Sequence, residues 1–135
     1  MSHLSRKPLS TKIEEEIVQN LNLILSSISR GEEMLSFMAS LLTPTEKVMI
    51  SKRIAMVVLI EQNLKDSEIS KLLNVTEPTV AKFRIFYEAR PEGFKIALKK
   101  LEEQKRLKTF KDALLELAEF IGKAGTGHVK KTFGA

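Results

Sequence analysis

The chain has 135 residues and a formal net charge of +5, with no cysteine and two histidines. A chain of this length buries about two-thirds of its unfolded surface, so it can form a core without cross-links. The absence of cysteine excludes disulfides and thiolate metal sites. His3 and His128 lie near opposite ends, so the sequence offers no His-based triad or metal cluster, and we predict that the protein is not an enzyme.

Basic side chains are concentrated in residues 1–12 and 95–111, and the second segment has seven basic and two acidic side chains. Such clusters can contact a phosphate backbone, although a solvated helix face is the commoner origin of a charge run taken alone. No apolar segment approaches the roughly 18 residues that span a bilayer. The first residues lack the apolar segment of a signal peptide. We therefore expect a cytoplasmic protein without a membrane partner.

Apolar residues recur at helical spacing almost throughout, and no segment predicts a strand, so the expected fold is all-α. Residues 1–11 are expected to form a flexible arm. Thr11 and Glu14 suggest a capping box ahead of a first helix, whose wide apolar stripe has to be buried on more than one side. Gly31 is placed at the end of this helix, and the two glutamates after it are suited to the start of a second.

A sharp helix start is predicted at residues 43–46. The sequence Thr-Pro-Thr-Glu there supplies a cap, a proline at the first helical position and a glutamate at the third. The helix that follows, to about Asn63, is apolar nearly all round and has to be enclosed. In a chain of this size, a second copy can supply part of that enclosure.

Residues 66–87 predict two short helices joined by a tight turn, which is the layout of a helix-turn-helix. Asp66 is placed as the cap of the first helix, and Asn74 tolerates the left-handed backbone that ends it. Ser70 is small where the two helices have to cross closely. Thr76 caps the second helix. Its side chains at helical spacing turn inward: Val80, Phe83 and Tyr87.

A break is predicted at residues 90–93, Arg-Pro-Glu-Gly. No glycine or proline occurs between Phe94 and Ile121. Lys105 and Lys108 interrupt the apolar register there, so we expect two helices or one bent helix. The glycine-rich, basic residues 123–135 are expected to form a flexible tail.

The segment LLTPTE at residues 41–46, then Arg53, a mostly apolar helix and the bihelical motif, resembles the Trp repressor family. The resemblance covers about residues 12–106, which are followed by an additional C-terminal helix at 107–122. It implies an all-α, intertwined homodimer with double-stranded DNA as its partner. The implied function is that of a sequence-specific transcriptional regulator, most simply a repressor.

The DNA-facing positions are predicted from the motif and from this resemblance. Glu77 can accept from a cytosine amino group, Lys82 can reach a guanine edge or a phosphate, and Pro78 and Ala81 can make apolar contact with a thymine methyl. Arg84 is either a phosphate contact or a solvent-facing charge. The predicted DNA-binding residues are Thr76, Glu77, Pro78, Thr79, Ala81, Lys82 and Arg84.

The resemblance also implies a pocket for an L-tryptophan co-repressor beside the second helix of the motif. Lys82 stands where the family has a second ligand-facing arginine, and Phe83 stands where a glycine leaves room for the indole. A phenyl ring there fills the space that the ligand needs, so we expect no cofactor and no response to tryptophan. The pocket positions are Leu41, Thr43, Arg53, Thr79 and Lys82.

Two other interpretations stay open. The first is a helical protein-interaction module that keeps the bihelical fold without reading DNA. The zero net charge of residues 64–94 and the acidic Glu77 favour it. The second is a DNA-binding accessory of a transposition or replication system, which shares the motif but not the regulatory role.

Overall fold

The computed structural model describes residues 9–124, and the side chains of residues 9–121. This part of the chain contains helices and no strand, which confirms the all-α prediction. The helices are α1 (Thr11–Ser27), α2 (Gly31–Leu41), α3 (Pro44–Glu61), α4 (Asp66–Leu73), α5 (Glu77–Ala89), α6 (Glu92–Glu103) and α7 (Leu107–Ala124). None of the helices described is long and apolar enough to cross a membrane.

The chain divides into two compact units, residues 1–47 and 48–135. The predicted domain at 12–106, with an additional C-terminal helix at 107–122, stays a prediction. Most of the two predicted flexible ends, residues 1–8 and 125–135, lies outside the described residues. The parts of those ends that are described include Thr11 and residues 123–124, which are helical.

The N-terminal unit contains α1 and α2, and two sequence predictions about their ends are wrong. Ser10 caps α1, because its Oγ accepts a hydrogen bond from the amide of Ile13 at 3.3 Å. Thr11 is instead the first helical residue. Gly31 does not end α1, which stops at Ser27, but begins α2. Ser10 and Thr11 are neighbouring hydroxyl residues, and either can serve as a helix cap. The predicted helix start can therefore be wrong by one position.

Within the N-terminal unit, the described residues leave the apolar stripe of α1 exposed. Neither α1 nor α2 contains a buried residue, and Ile17 is 54% exposed and Leu23 62% exposed. Large contiguous apolar surfaces are uncommon on monomeric soluble proteins and usually mark an interaction site.

The predicted start of α3 is confirmed. The amide of Thr43 donates to Glu46 Oε1 at 2.9 Å, and the amide of Glu46 donates to Thr43 Oγ1 at 3.1 Å. These reciprocal bonds form a capping box that satisfies two amides at the helix start. The bonds from the Thr43 backbone and side chain lower the pKa of the Glu46 carboxyl.

The core of the C-terminal unit surrounds six consecutive buried residues of α3, Ala55–Ile60. Six residues cover the whole circumference of a helix, so neighbours have to pack on every side. The motif supplies Ile69, Leu72 and Val80, among others, and α7 supplies Leu114 and Ala118. These contacts confirm that the second half of α3 is enclosed.

The C-terminal helices also match their prediction. Residues 92–124 form two helices, α6 and α7, and not one continuous helix. Lys105 lies between them with a φ of 58°, in the left-handed region. α7 packs against both α4 and α6, and so belongs to the same core as the motif.

The capping box at α3 gives a stability prediction. Thr43→Ala removes the hydroxyl that accepts from the Glu46 amide, and we expect it to lower the free energy of unfolding by about 1 kcal/mol at neutral pH. Thr43→Ser keeps the hydroxyl and is the matched control. Urea denaturation followed by far-UV circular dichroism measures both. Equal stability of the Ala and Ser variants would contradict the capping role.

Candidate nucleic-acid interface

The turn between α4 and α5 has the backbone that the sequence predicts. Asn74 adopts the left-handed conformation, with φ 53° and ψ 53°. The amide of Val75 donates to the Ser70 carbonyl at 3.1 Å, and the Ser70 hydroxyl donates back to the Val75 carbonyl. Val75 is half-buried and packs against the core. Ser70 therefore forms hydrogen bonds with the turn, and its small side chain leaves space for Val75 to pack. These contacts fix the angle between the helices.

Thr76 caps α5, as predicted. Its Oγ1 accepts from the amide of Thr79 at 3.3 Å, and the two threonine hydroxyls are 2.7 Å apart. Pro78 lies in the first turn, where its missing N–H has no helical partner to lose. The capped start of α5 is exposed: Thr76, Glu77, Pro78 and Thr79 all face solvent.

The opposite face of α5 is anchored in the core. Val80, Phe83 and Tyr87 are buried, which confirms the predicted inward stripe. The Phe83 ring meets Phe94 of α6 edge-on, with centroids 5.6 Å apart, and the Tyr87 ring meets the same side chain at 5.9 Å. The core therefore holds one face of α5 and leaves the other free.

The predicted DNA-facing residues separate into two groups. The first group extends from Thr76 to Lys82 along the first turns of α5, with Lys82 exposed and Ala81 half-buried. Arg84, by contrast, makes contacts inside the motif. Its Nε donates to Asp66 Oδ1 at 2.8 Å, and its Nη2 donates to the Leu64 carbonyl at 2.9 Å. The Arg84 side chain is 26% exposed, so most of it is removed from solvent.

The same ion pair explains a wrong prediction at the start of α4. The sequence predicts Asp66 as the cap of this helix, but Asp66 is its first residue, and its carboxylate binds Arg84. Lys65 occupies the N-cap position, and its amide donates to Glu68 Oε1 at 2.9 Å. Local spacing gives no signal for a pair of charges that are 18 residues apart along the chain.

A family model described as Trp repressor protein matches residues 15–102, which is well over half of the chain. The chain belongs to the Trp repressor family. No curated protein and no solved structure was found to match it. Trp repressor family proteins are DNA-binding regulators and not enzymes. The matched residues include both helices of the motif, whereas α7 lies beyond them.

In this Trp repressor family chain, two further side-chain contacts attach the motif to α3, and no local sequence pattern indicates either of them. Lys52 Nζ donates to the Asn74 carbonyl at 3.5 Å, a long bond at the turn. The Tyr87 hydroxyl donates to Glu61 Oε1 at 2.6 Å, which links α5 to the end of α3. Burial, followed by the bond and the negative charge from Glu61, raises the pKa of Tyr87 to about 12.

The five residues predicted as pocket positions are described here unit by unit. Leu41 and Thr43 belong to the N-terminal unit, and Arg53, Thr79 and Lys82 belong to the C-terminal unit. All five are exposed, and the hydroxyls of the two threonines are engaged in helix caps.

Two observations bear on that pocket within the C-terminal unit. Phe83 is buried there, and its ring lies against Phe94 and Phe86. A cavity of about 370 Å³ lies elsewhere in the unit, beside Ile54, Arg106 and Phe110, and none of the predicted pocket residues lines it.

Tyr87 is the single tyrosine of a chain without tryptophan, so its ionisation can be followed directly by ultraviolet absorbance. We expect the native chain to titrate near pH 12, and a Glu61→Gln variant to titrate lower because the negative charge is gone. The pKa of Tyr87 in the folded chain lies above the usual tyrosine value of 10.0. The stability that the Tyr87 hydroxyl contributes is therefore fully present below pH 10 and is lost as the pH rises towards 12. Identical titrations of the two proteins would contradict the contact.

The Arg84–Asp66 pair gives a coupling prediction. Arg84→Met and Asp66→Asn should each destabilise the fold, and the double variant should lose less than their sum, with a coupling of about 1 kcal/mol. Arg84→Lys should behave like Arg84→Met, because one ammonium group cannot reproduce the two separate bonds of the guanidinium. Urea unfolding of the four proteins of the cycle measures the coupling. Strict additivity would show that the contact adds no stability.

Proposed function

We propose that the chain is a sequence-specific DNA-binding transcriptional regulator, most simply a repressor, which acts as a homodimer through α4 and α5. The observation that supports this function best is the exposed start of α5 on a helix whose opposite face is anchored in the core. A helix is about 10–12 Å across with its side chains, which fits the major groove of about 12 Å.

In this proposal the exposed residues divide the recognition of a half-site among them. Glu77 accepts a hydrogen bond from a cytosine amino group, and Lys82 binds a guanine edge or a phosphate. Thr76 and Thr79 lie beside the backbone at the helix start, where hydroxyls and amides commonly bind phosphate oxygens. Pro78 and Ala81 have no polar side-chain atoms and can make apolar contacts alone.

Arg84 has a different part in the proposal. Its guanidinium already binds the Asp66 carboxylate and the Leu64 carbonyl, so it positions α5 against the start of α4. A residue that acts in this way changes affinity without changing the number of phosphates bound.

The homodimer is proposed from the uncovered apolar surface. In the N-terminal unit the apolar residues of α1 are exposed, and in the C-terminal unit Val48, Met49 and Ile50 are exposed. A second copy would cover such surfaces without further partners. In a two-fold dimer the two α5 helices would lie about 34 Å apart and read a near-palindromic site.

We also propose that tryptophan does not regulate this protein. The support comes from Phe83, whose buried ring occupies the position where the resemblance places a glycine. Accommodating an indole would require moving that ring away from Phe94, and buried rings that contact each other resist such movement.

The function is tested by selection of bound sequences from a random DNA pool, followed by affinity measurements over a salt series. We expect an enriched, near-symmetric site and an affinity that falls steeply with salt. Lys82→Ala should weaken binding and, if Lys82 binds phosphate, lower the slope of log affinity against log salt by about one. Arg84→Met should weaken binding with an unchanged slope. Tryptophan should alter none of these values.

Lys111→Ala, on α7 beyond the family match, measures the general effect of losing one positive charge from the basic segment 95–111, and it should leave the selected sequence unchanged. A protein-interaction module predicts a different outcome, with no enriched sequence and no effect of Lys82→Ala. A selected site whose affinity rises with tryptophan would contradict the proposal on regulation but not the one on DNA binding.

The dimer is tested by the mass in solution at micromolar concentration. We expect twice the chain mass for the native protein. Ile17→Glu places a charge in the exposed apolar stripe of α1 and should shift the mass towards the monomer or prevent folding. Gln19→Glu adds the same charge on another side of α1 and should leave the dimer intact. A native monomer would refute the homodimer.

A further inference from the structure

An apolar stripe follows the solvent side of α5. Pro78, Ala81 and Ile85 lie at spacings of three and four residues, so they share one face of the helix, and Lys82 flanks them. Ile85 is 69% exposed, although isoleucine is among the residue types most often buried. The stripe begins inside the predicted DNA-facing group and continues one turn beyond it.

The exposure of Ile85 has no explanation in the packing of the C-terminal unit. The buried stripe of α5 already contains Val80, Phe83 and Tyr87 on the opposite face. Ile85 does not belong to the core or to the partly buried residues that pack against it. One exposed isoleucine is ordinary on a protein surface, but its alignment with Pro78 and Ala81 makes a continuous apolar stripe on the free face of α5, which points to a contact outside the described residues.

We propose that Ile85, together with Ala81 and Pro78, contacts thymine methyl groups in the major groove, and that Ile85 is a specificity-determining residue. The inference rests on the proposed DNA-binding function. Thymine has the one methyl group among the four bases at the major-groove edge, whereas cytosine presents an amino group there. Side chains that have no hydrogen-bonding atoms favour the methyl group and leave the amino group of cytosine without a partner.

The length of the stripe fits this partner. Pro78 and Ile85 are seven residues apart, which corresponds to about 10.5 Å along a helix that rises 1.5 Å per residue. Base pairs stack at about 3.4 Å, so the stripe extends over about three of them. The structure thus favours a half-site in which one to three thymines face α5, beside the base or phosphate that Lys82 binds.

The test uses the DNA site selected by the full-length chain. Each thymine of a half-site is replaced in turn by deoxyuridine, which keeps every hydrogen-bonding atom and lacks the methyl group. At one to three positions we expect an affinity loss of about fourfold, the effect of removing one buried methyl group. Ile85→Ala should weaken binding to the thymine site and abolish the difference between thymine and deoxyuridine at the position that it contacts.

Ile96→Ala is the matched control, because Ile96 is 61% exposed but lies on α6. This variant should keep the full preference for thymine. Ile85 is exposed, so Ile85→Ala should fold normally, and thermal unfolding followed by circular dichroism checks this.

Three results would overturn the inference while leaving DNA binding established. The first is that deoxyuridine is neutral at every position, and the second is that Ile85→Ala lowers affinity equally for thymine and deoxyuridine sites. The third is that Ile85→Ala changes the mass in solution. The last result would assign this stripe to a protein interface. Failure to select any sequence would overturn the proposed function, and this inference with it.

Discussion

The enclosure of Ala55–Ile60 is the constraint on which the rest of the C-terminal unit depends. Six consecutive buried residues leave no side of α3 for solvent, so several helices have to pack around a single turn and a half of it. The motif supplies two of those helices, α4 and α5, and its buried side chains are part of the core around α3. The position of α5 follows from the burial of α3, and its free face is what remains after the core is complete.

The apolar stripe of a helix sets which face turns towards the core. Polar contacts at the ends of the elements add further links between the helices of this unit. Lys52 reaches the turn, Arg84 reaches the start of α4, and Tyr87 reaches the end of α3. Each contact joins two elements at an end of at least one of them. No buried side-chain nitrogen or oxygen in the described residues lacks a partner, so these bonds do not leave other groups unsatisfied.

Local signals in the sequence were sufficient where the structure is determined locally. Thr43, Asn74 and Thr76 were placed correctly because a cap or a left-handed turn depends on a few neighbouring residues. The helix-spaced residues of α5 were assigned inward for the same reason. The error at Thr11 is a shift between two adjacent hydroxyl residues, whereas α1 ends at Ser27, well before Gly31, and the glycine begins the next helix.

The site was harder to predict than the fold, because its charges are paired over long distances in the sequence. Aspartate is a residue type that commonly caps helices, and arginine is one that commonly contacts phosphate. Each prediction is therefore reasonable for the residue taken alone. Their ion pair becomes visible only when α4 and α5 are placed side by side. The exposure of Ile85, by contrast, follows from helical spacing, because Ile85 lies off the inward stripe of α5 and therefore faces away from the core.

The position of α7 separates two definitions of a domain that usually coincide. The residues that identify the family end at 102, whereas Leu114 and the fully buried Ala118 belong to the same core as the motif. A fragment cut at the family boundary would keep every matched residue and both helices of the motif, yet one side of its core would be open to water. In this chain, the segment that matches the family is therefore shorter than the segment that is needed to complete the core.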